Sequence, residues 1–148
     1  MTMGLKRDIA NALVTKLNTI AALNYVAFGK VRLSTDDFRM DEFPAVQIYN
    51  TDESRIHIHR KIQVDWNCNL EIINRTTTDG AIEIRDLWDL EDTIEATLWE
   101  NPKLDLAGGM IHILHRGSYT VLPLETNTYI QTIRFSARYL KDLVGTCN

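Results

Sequence analysis

The clearest pattern in the chain is an alternation of polar and apolar positions across residues 56–72. His57, His59, Lys61, Gln63, Asp65, Asn67, Asn69 and Glu71 take the odd positions. Ile56, Ile58, Ile62, Val64, Trp66, Cys68, Leu70 and Ile72 take the even ones, interrupted only by Arg60. A period of two over this length predicts a β-strand with one face turned to a core. At ~3.3 Å per residue it would span roughly 55 Å, about three times an ordinary strand. Such a strand either projects beyond its own core or bends at a bulge. The overshoot suggests a chain that builds sheet together with something else, its first third (residues 56–61) projecting onto a neighbouring subunit.

Two stretches follow the helical period instead. Leu5, Ile9, Ala12, Leu13, Ile20 and Leu23 form one stripe over residues 4–24, which predicts an amphipathic helix packed on a sheet. Lys16 falls inside that stripe, where its stem can pack while its ammonium reaches water. A second helix, capped by Thr78 or Asp79, runs to about Glu100 and is ended by Asn101-Pro102. Ile84, Leu87, Trp88, Leu90, Ile94 and Leu98 share its broad apolar face, and Asp86, Asp89 and Asp92 cluster opposite. Glu91 is the odd charge in that stripe, as Arg60 is in the long strand. Either the two pair, within or between subunits, or both lie beyond the core edge.

The remaining strands are residues 25–34 with an interruption at Gly29, residues 43–49, residues 110–124 as one strand or a pair around Gly117, and residues 129–140. Pro44 cannot donate a ladder hydrogen bond and belongs at a strand start or edge. Turn formers at 50–54 join residues 43–49 to the long strand as an antiparallel hairpin. Residues 34–42 form a charged loop in which Phe38 and Met40 either anchor a partner or fold back onto their own domain. The elements add up to an α+β fold: a mixed or antiparallel sheet with a long β-hairpin, and two main helices packed on one face. Residues 1–148 read as a single domain with a short flexible tail from about 141.

Composition narrows the function. The net charge is −4 and the pI about 5.5, so there is no overall basic footprint for nucleic acid. No apolar run is long enough to span a membrane, and the first residues lack a signal peptide's apolar segment. Cys68 and Cys147 read as free thiols of a reducing cytoplasm. His57 and His59 share a strand face, but nothing completes a metal set around them, and His112 and His115 differ in parity and face opposite sides. No nucleophile elbow, phosphate-cradling glycine loop or H-E-x-x-H motif is present. The sequence predicts no enzyme, cofactor or metal.

The order of elements resembles the tail-terminator, or tail-completion, proteins of long-tailed bacteriophages. The likeness is carried by residues 7–20, by Phe43-Pro44-Ala45-Val46-Gln47-Ile48, and by residues 62–72, 82–98 and 130–139, which together cover nearly the whole chain. It implies a virion protein assembled in the host cytoplasm into a ring, typically a hexamer. Such a ring caps the head-proximal end of the tail tube, ends tube polymerisation and offers a docking surface for the head connector. The implied partners are further copies of the chain, the tail tube protein and a head-completion or connector protein. Genome DNA would pass through without specific binding, and no membrane is involved. Candidate contact residues are Asp36, Asp37, Phe38, Arg39, Met40, Thr51, Asp52, Glu53, Arg55, His57, His59 and Arg60. Asp86, Asp89 and Asp92 are the candidate acidic row of a lumen that repels phosphates. A head–tail connector, neck or minor tail protein is the alternative within this class, and a small-ligand-binding α+β domain the alternative outside it.

Overall fold

A central strand paired on both sides organises the fold. The computed structural model describes residues 5–32, 37–75, 84–106, 110–122 and 128–142. Its elements are α1 (Leu5–Leu17), β1 (Tyr25–Phe28), a 3-10 turn (Met40–Glu42), β2 (Ala45–Ile58), β3 (Lys61–Arg75), α2 (Ile84–Glu100), β4 (Met110–Val121) and β5 (Thr128–Asp142). The five strands form one mixed sheet in the order β1-β2-β3-β5-β4. β1 runs parallel to β2, and the other neighbours are antiparallel. This is the expected α+β architecture.

The alternation in β3 does what its period requires. Ile62, Val64, Trp66, Cys68, Leu70 and Ile72 are all buried on the face that carries both helices. β5 meets them with Ile133, Phe135, Ala137 and Tyr139, and β2 with Val46 and Ile48. α1 contributes Ile9, Leu13 and Leu17, and α2 contributes Leu87, Ile94 and Leu98. Full burial of each such side chain stabilises by about 1.5–3 kcal/mol, which fixes the register of every strand that supplies one.

Several boundaries depart from the sequence reading. The first helix stops at Leu17 rather than near residue 24; Thr19 turns its hydroxyl back to the Lys16 carbonyl, and Ile20 reaches the core from the turn that follows. Lys16 packs its stem and pairs with Asp105 at 3.0 Å. Trp88 is half exposed rather than part of the buried stripe, because the stripe is wider than the strip of sheet that α2 covers. Residues 110–121 are one strand with irregularities beside Met110 and His115, not two. β5 continues through Lys141 and Asp142, so these two residues belong to the sheet and not to a tail. The helix caps Thr78 and Asp79, residue Asp36 and Cys147 lie outside the described residues.

Among the described residues, no helix covers the other sheet face. One corner is closed by the chain's own residues 37–43, where Phe38 and Phe43 pack on Ala45 and Ile73. The rest is open and mostly polar, with a few exposed apolar residues toward the strand ends.

Candidate assembly surface

The long alternating stretch is not one strand. It turns back at His59-Arg60, with His59 at φ +55°, and Ile58 pairs with Lys61. The turn lies here and not at residues 50–54, which instead run inside β2 past a bulge between Asn50 and Asp52. A two-residue turn reverses parity. Ile56 pairs with Gln63 and His57 with Ile62, so Ile56 and Ile58 face away from the core that Ile62 and Val64 fill. They are 56% and 44% exposed. Arg60 therefore sits in a turn and not on an apolar face. Glu91 accepts a hydrogen bond from the Gln131 amide at 3.2 Å, and Gln131 pairs with Ile72. That position is about 40 Å along β3 from the turn, so Arg60 and Glu91 do not pair within the chain.

The helix-side edge of the hairpin is tied down by charge. Glu53 takes the Nζ of Lys6 at 2.8 Å and the Nε of Arg55 at 2.9 Å, and these donors, Arg55 first, hold its carboxyl below the usual carboxylate range. Lys6 also lies over the Trp66 ring. Of the remaining hairpin candidates, Thr51 and Asp52 face the open side of the sheet, where Asp52 accepts from the Asn67 amide at 3.1 Å. His57 and His59 are exposed.

The open face is a continuous polar network. Asp65 receives both Nε and an Nη of Arg138 at 2.7 and 2.9 Å, and the Arg116 guanidinium approaches at 3.4 Å. The Arg138 hydrogen bonds lead the causes that depress the Asp65 carboxyl pKa. Arg116 also donates to Ser136, whose hydroxyl donates to Asn67. Between β2 and β4 the network encloses a shallow depression of about 590 Å³, lined among others by Ser54, Asn67, Asn69, Arg116, Tyr119 and Arg134. Of its two cations, Arg116 is drawn to Asp65 and Arg134 lies over the Tyr119 ring at 5.5 Å. Across the sheet, burial pushes the Cys68 thiol up to about 12, which leaves it inert.

The loop candidates divide. Phe38 is buried, edge-on to Tyr25, and the Arg32 guanidinium lies over both rings. Arg32 also donates to Glu42 at 2.7 Å. Phe38 is thus a packing residue, while Met40, Asp37 and Arg39 remain exposed. Asp86, Asp89 and Asp92 are exposed on the outer side of α2 beside Trp88. His112 and His115 lie on opposite sheet faces, opposite Arg138 and Phe135 respectively, and His115 bonds Glu95 at 2.9 Å. Among the described residues there is no cluster able to hold a metal ion and no helix long and apolar enough to cross a membrane.

The outer edges of the sheet were not marked in the sequence at all. β1 covers only residues 45–48 of β2. On the far side, the carbonyl of Pro102 covers β4 at Ile113, accepting its N–H at 3.0 Å.

No family model matches the sequence, and no curated protein does. Among solved structures 29 chains match. One is a chain of the virion of a native gene transfer agent particle, with a TM-score of 0.58 at 9% identity over 95% of this chain and 100% of that one. The likeness defines a class of fold: the α+β domain that this chain shares with that virion chain.

Proposed function

We propose that the chain is a structural virion protein, the terminator of a bacteriophage tail. Copies form a ring that caps the head-proximal end of the tube, stops its growth and receives the head connector. The observation that carries this reading is end-to-end sharing of a fold with a virion chain, 95% of one and 100% of the other. The element order points the same way. The hairpin end with Arg55, His57, His59 and Arg60, and the exposed loop residues Asp37, Arg39 and Met40, are the proposed partner contacts. Asp86, Asp89 and Asp92 are the proposed surface that passing DNA meets without sticking. The role is structural and not catalytic.

Deleting the gene from its phage tests the reading. Loss of a terminator gives tails of irregular length that fail to join heads, and complementation restores both. Tails of normal length that fail only to join heads would instead assign the chain to the head-side connector.

A further inference from the structure

We infer that two half-edges of the sheet, on β2 and on β4, are the surfaces through which one copy of this chain pairs with the next. The inference rests on the ring reading above and names the contact that would build it.

In an antiparallel strand, the N–H and C=O of one residue point to the same side, and successive residues alternate. The Ile48 carbonyl points outward, since it accepts the Gly29 N–H at 2.8 Å. Beyond the bulge, which adds Thr51, the register moves this outward row to Glu53, Arg55 and His57. The pairing of β1 along β2 ends at Ile48, so among the described residues no backbone group bonds to the outer side of 50–58. That is a bare edge of roughly 30 Å.

β4 has the complementary gap. Its outward row begins at Ile113, which Pro102 satisfies, and continues through His115, Ser118 and Thr120. Among the described residues no backbone group pairs with those three. The two bare segments lie at opposite ends of the sheet: 50–58 toward the hairpin turn, 115–121 toward the end where β5 begins. A neighbour's β4 can therefore lie antiparallel against β2 only with a stagger, past the end of β1. Staggered, tilted strands are what a sheet needs to close into a ring. The two segments differ, so the contact is heterologous, and repetition of a heterologous contact closes a ring when the rotation allows it.

Side chains favour the same partner. Within the two segments, four exposed apolar residues point to the open face: Ile56 and Ile58 at 56% and 44%, Tyr119 and Val121 at 42% and 39%. Edge pairing brings these two apolar pairs together on one side of the joined sheet. An unpaired edge of this length is otherwise an aggregation hazard.

Proline at an outward position removes the intermolecular donor without breaking a bond to β3 or β5. The test is sedimentation velocity on the full chain, wild type against His57→Pro and Ser118→Pro. The wild type forms a closed ring. Each variant needs at least a tenfold higher concentration to assemble. Mixed together, the variants form a dimer, because each supplies the half-edge the other lacks. Wild-type rings with variants that assemble unchanged, or a mixture that stays monomeric, overturn the edge assignment and leave the ring reading standing. A wild-type chain monomeric at every concentration overturns both. Should a variant unfold, amide exchange on the wild type decides: the Glu53, Arg55 and His57 amides slow at least a hundredfold on assembly, and unchanged rates refute the pairing.

Discussion

Replacing Asp65 with alanine removes the anion that holds Arg138 and Arg116 on the open sheet face. Asp65 and Arg138 stand directly opposite each other on β3 and β5, joined by two hydrogen bonds of 2.7 and 2.9 Å. A charge-assisted hydrogen bond is worth about 1.5–3 kcal/mol when well covered. The Arg138 side chain keeps 29% of its exposure, so solvent screening reduces the pair to about 1.5 kcal/mol of coupling. The single variant should lose more than that, because Arg116 and Arg138 are left facing each other. For a chain of 148 residues, 1.5 kcal/mol corresponds to about 5 °C in melting temperature. A double-mutant cycle of Asp65→Ala and Arg138→Ala, by urea unfolding at one low protein concentration, isolates the coupling from any effect of assembly. The pH dependence supplies a second check. Asp65 is depressed in the folded state, so its contribution is complete above the unfolded value of about 3.9 and is lost as pH falls through the lower folded value. The gap between wild type and variant should hold from pH 7 to about 5 and shrink below about 4. A coupling below about 0.5 kcal/mol at pH 7, or one that persists unchanged in strong acid, would refute the assignment.

Two further outcomes follow from the same geometry. Phe38→Ala should destabilise by about 3 kcal/mol because it empties the small cluster with Phe43 and Ile73, whereas Met40→Ala should stay within about 0.5 kcal/mol; equal effects in urea melts would contradict the division of the loop. In a Cys147→Ser background, a thiol reagent at pH 8 should label Cys68 only at the rate of unfolding, since burial lifts its pKa to about 12; rapid labelling of the folded chain would contradict its place in the core.

The core was legible because burial imposes a period. Leu70 and Ile133, Ile9 and Leu13, and Leu87 and Ile94 fall on the faces their spacing assigns. The hairpin turn was not. His59 and Arg60 are not strong turn formers, and the alternation resumes in phase after its one interruption at Arg60, so the glycine-free, polar-looking residues 50–54 drew the turn instead. Trp88 illustrates a second limit: a helical wheel gives the width of an apolar stripe but not how much of it a sheet covers. The free edges were invisible for a plainer reason. Whether Glu53 or Ser118 has a neighbour depends on strand order and on where β1 and Pro102 end, and neither leaves a mark at those positions.

The tight turn at His59-Arg60 has one more consequence, for how such a chain can change. An even-length turn lets one hydropathy string serve two opposite purposes: the limb after it fills the interior, and the limb before it displays isoleucines to the outside. A register slip of one residue, with Ile58 meeting Ile62 in place of Lys61, would move the displayed limb to the other face, bringing Ile56 and Ile58 round to the side of Ile62 without altering either of them. Displayed surface and core are therefore one register step apart here, and the closing pair of the turn, more than side-chain identity, decides which limb is which.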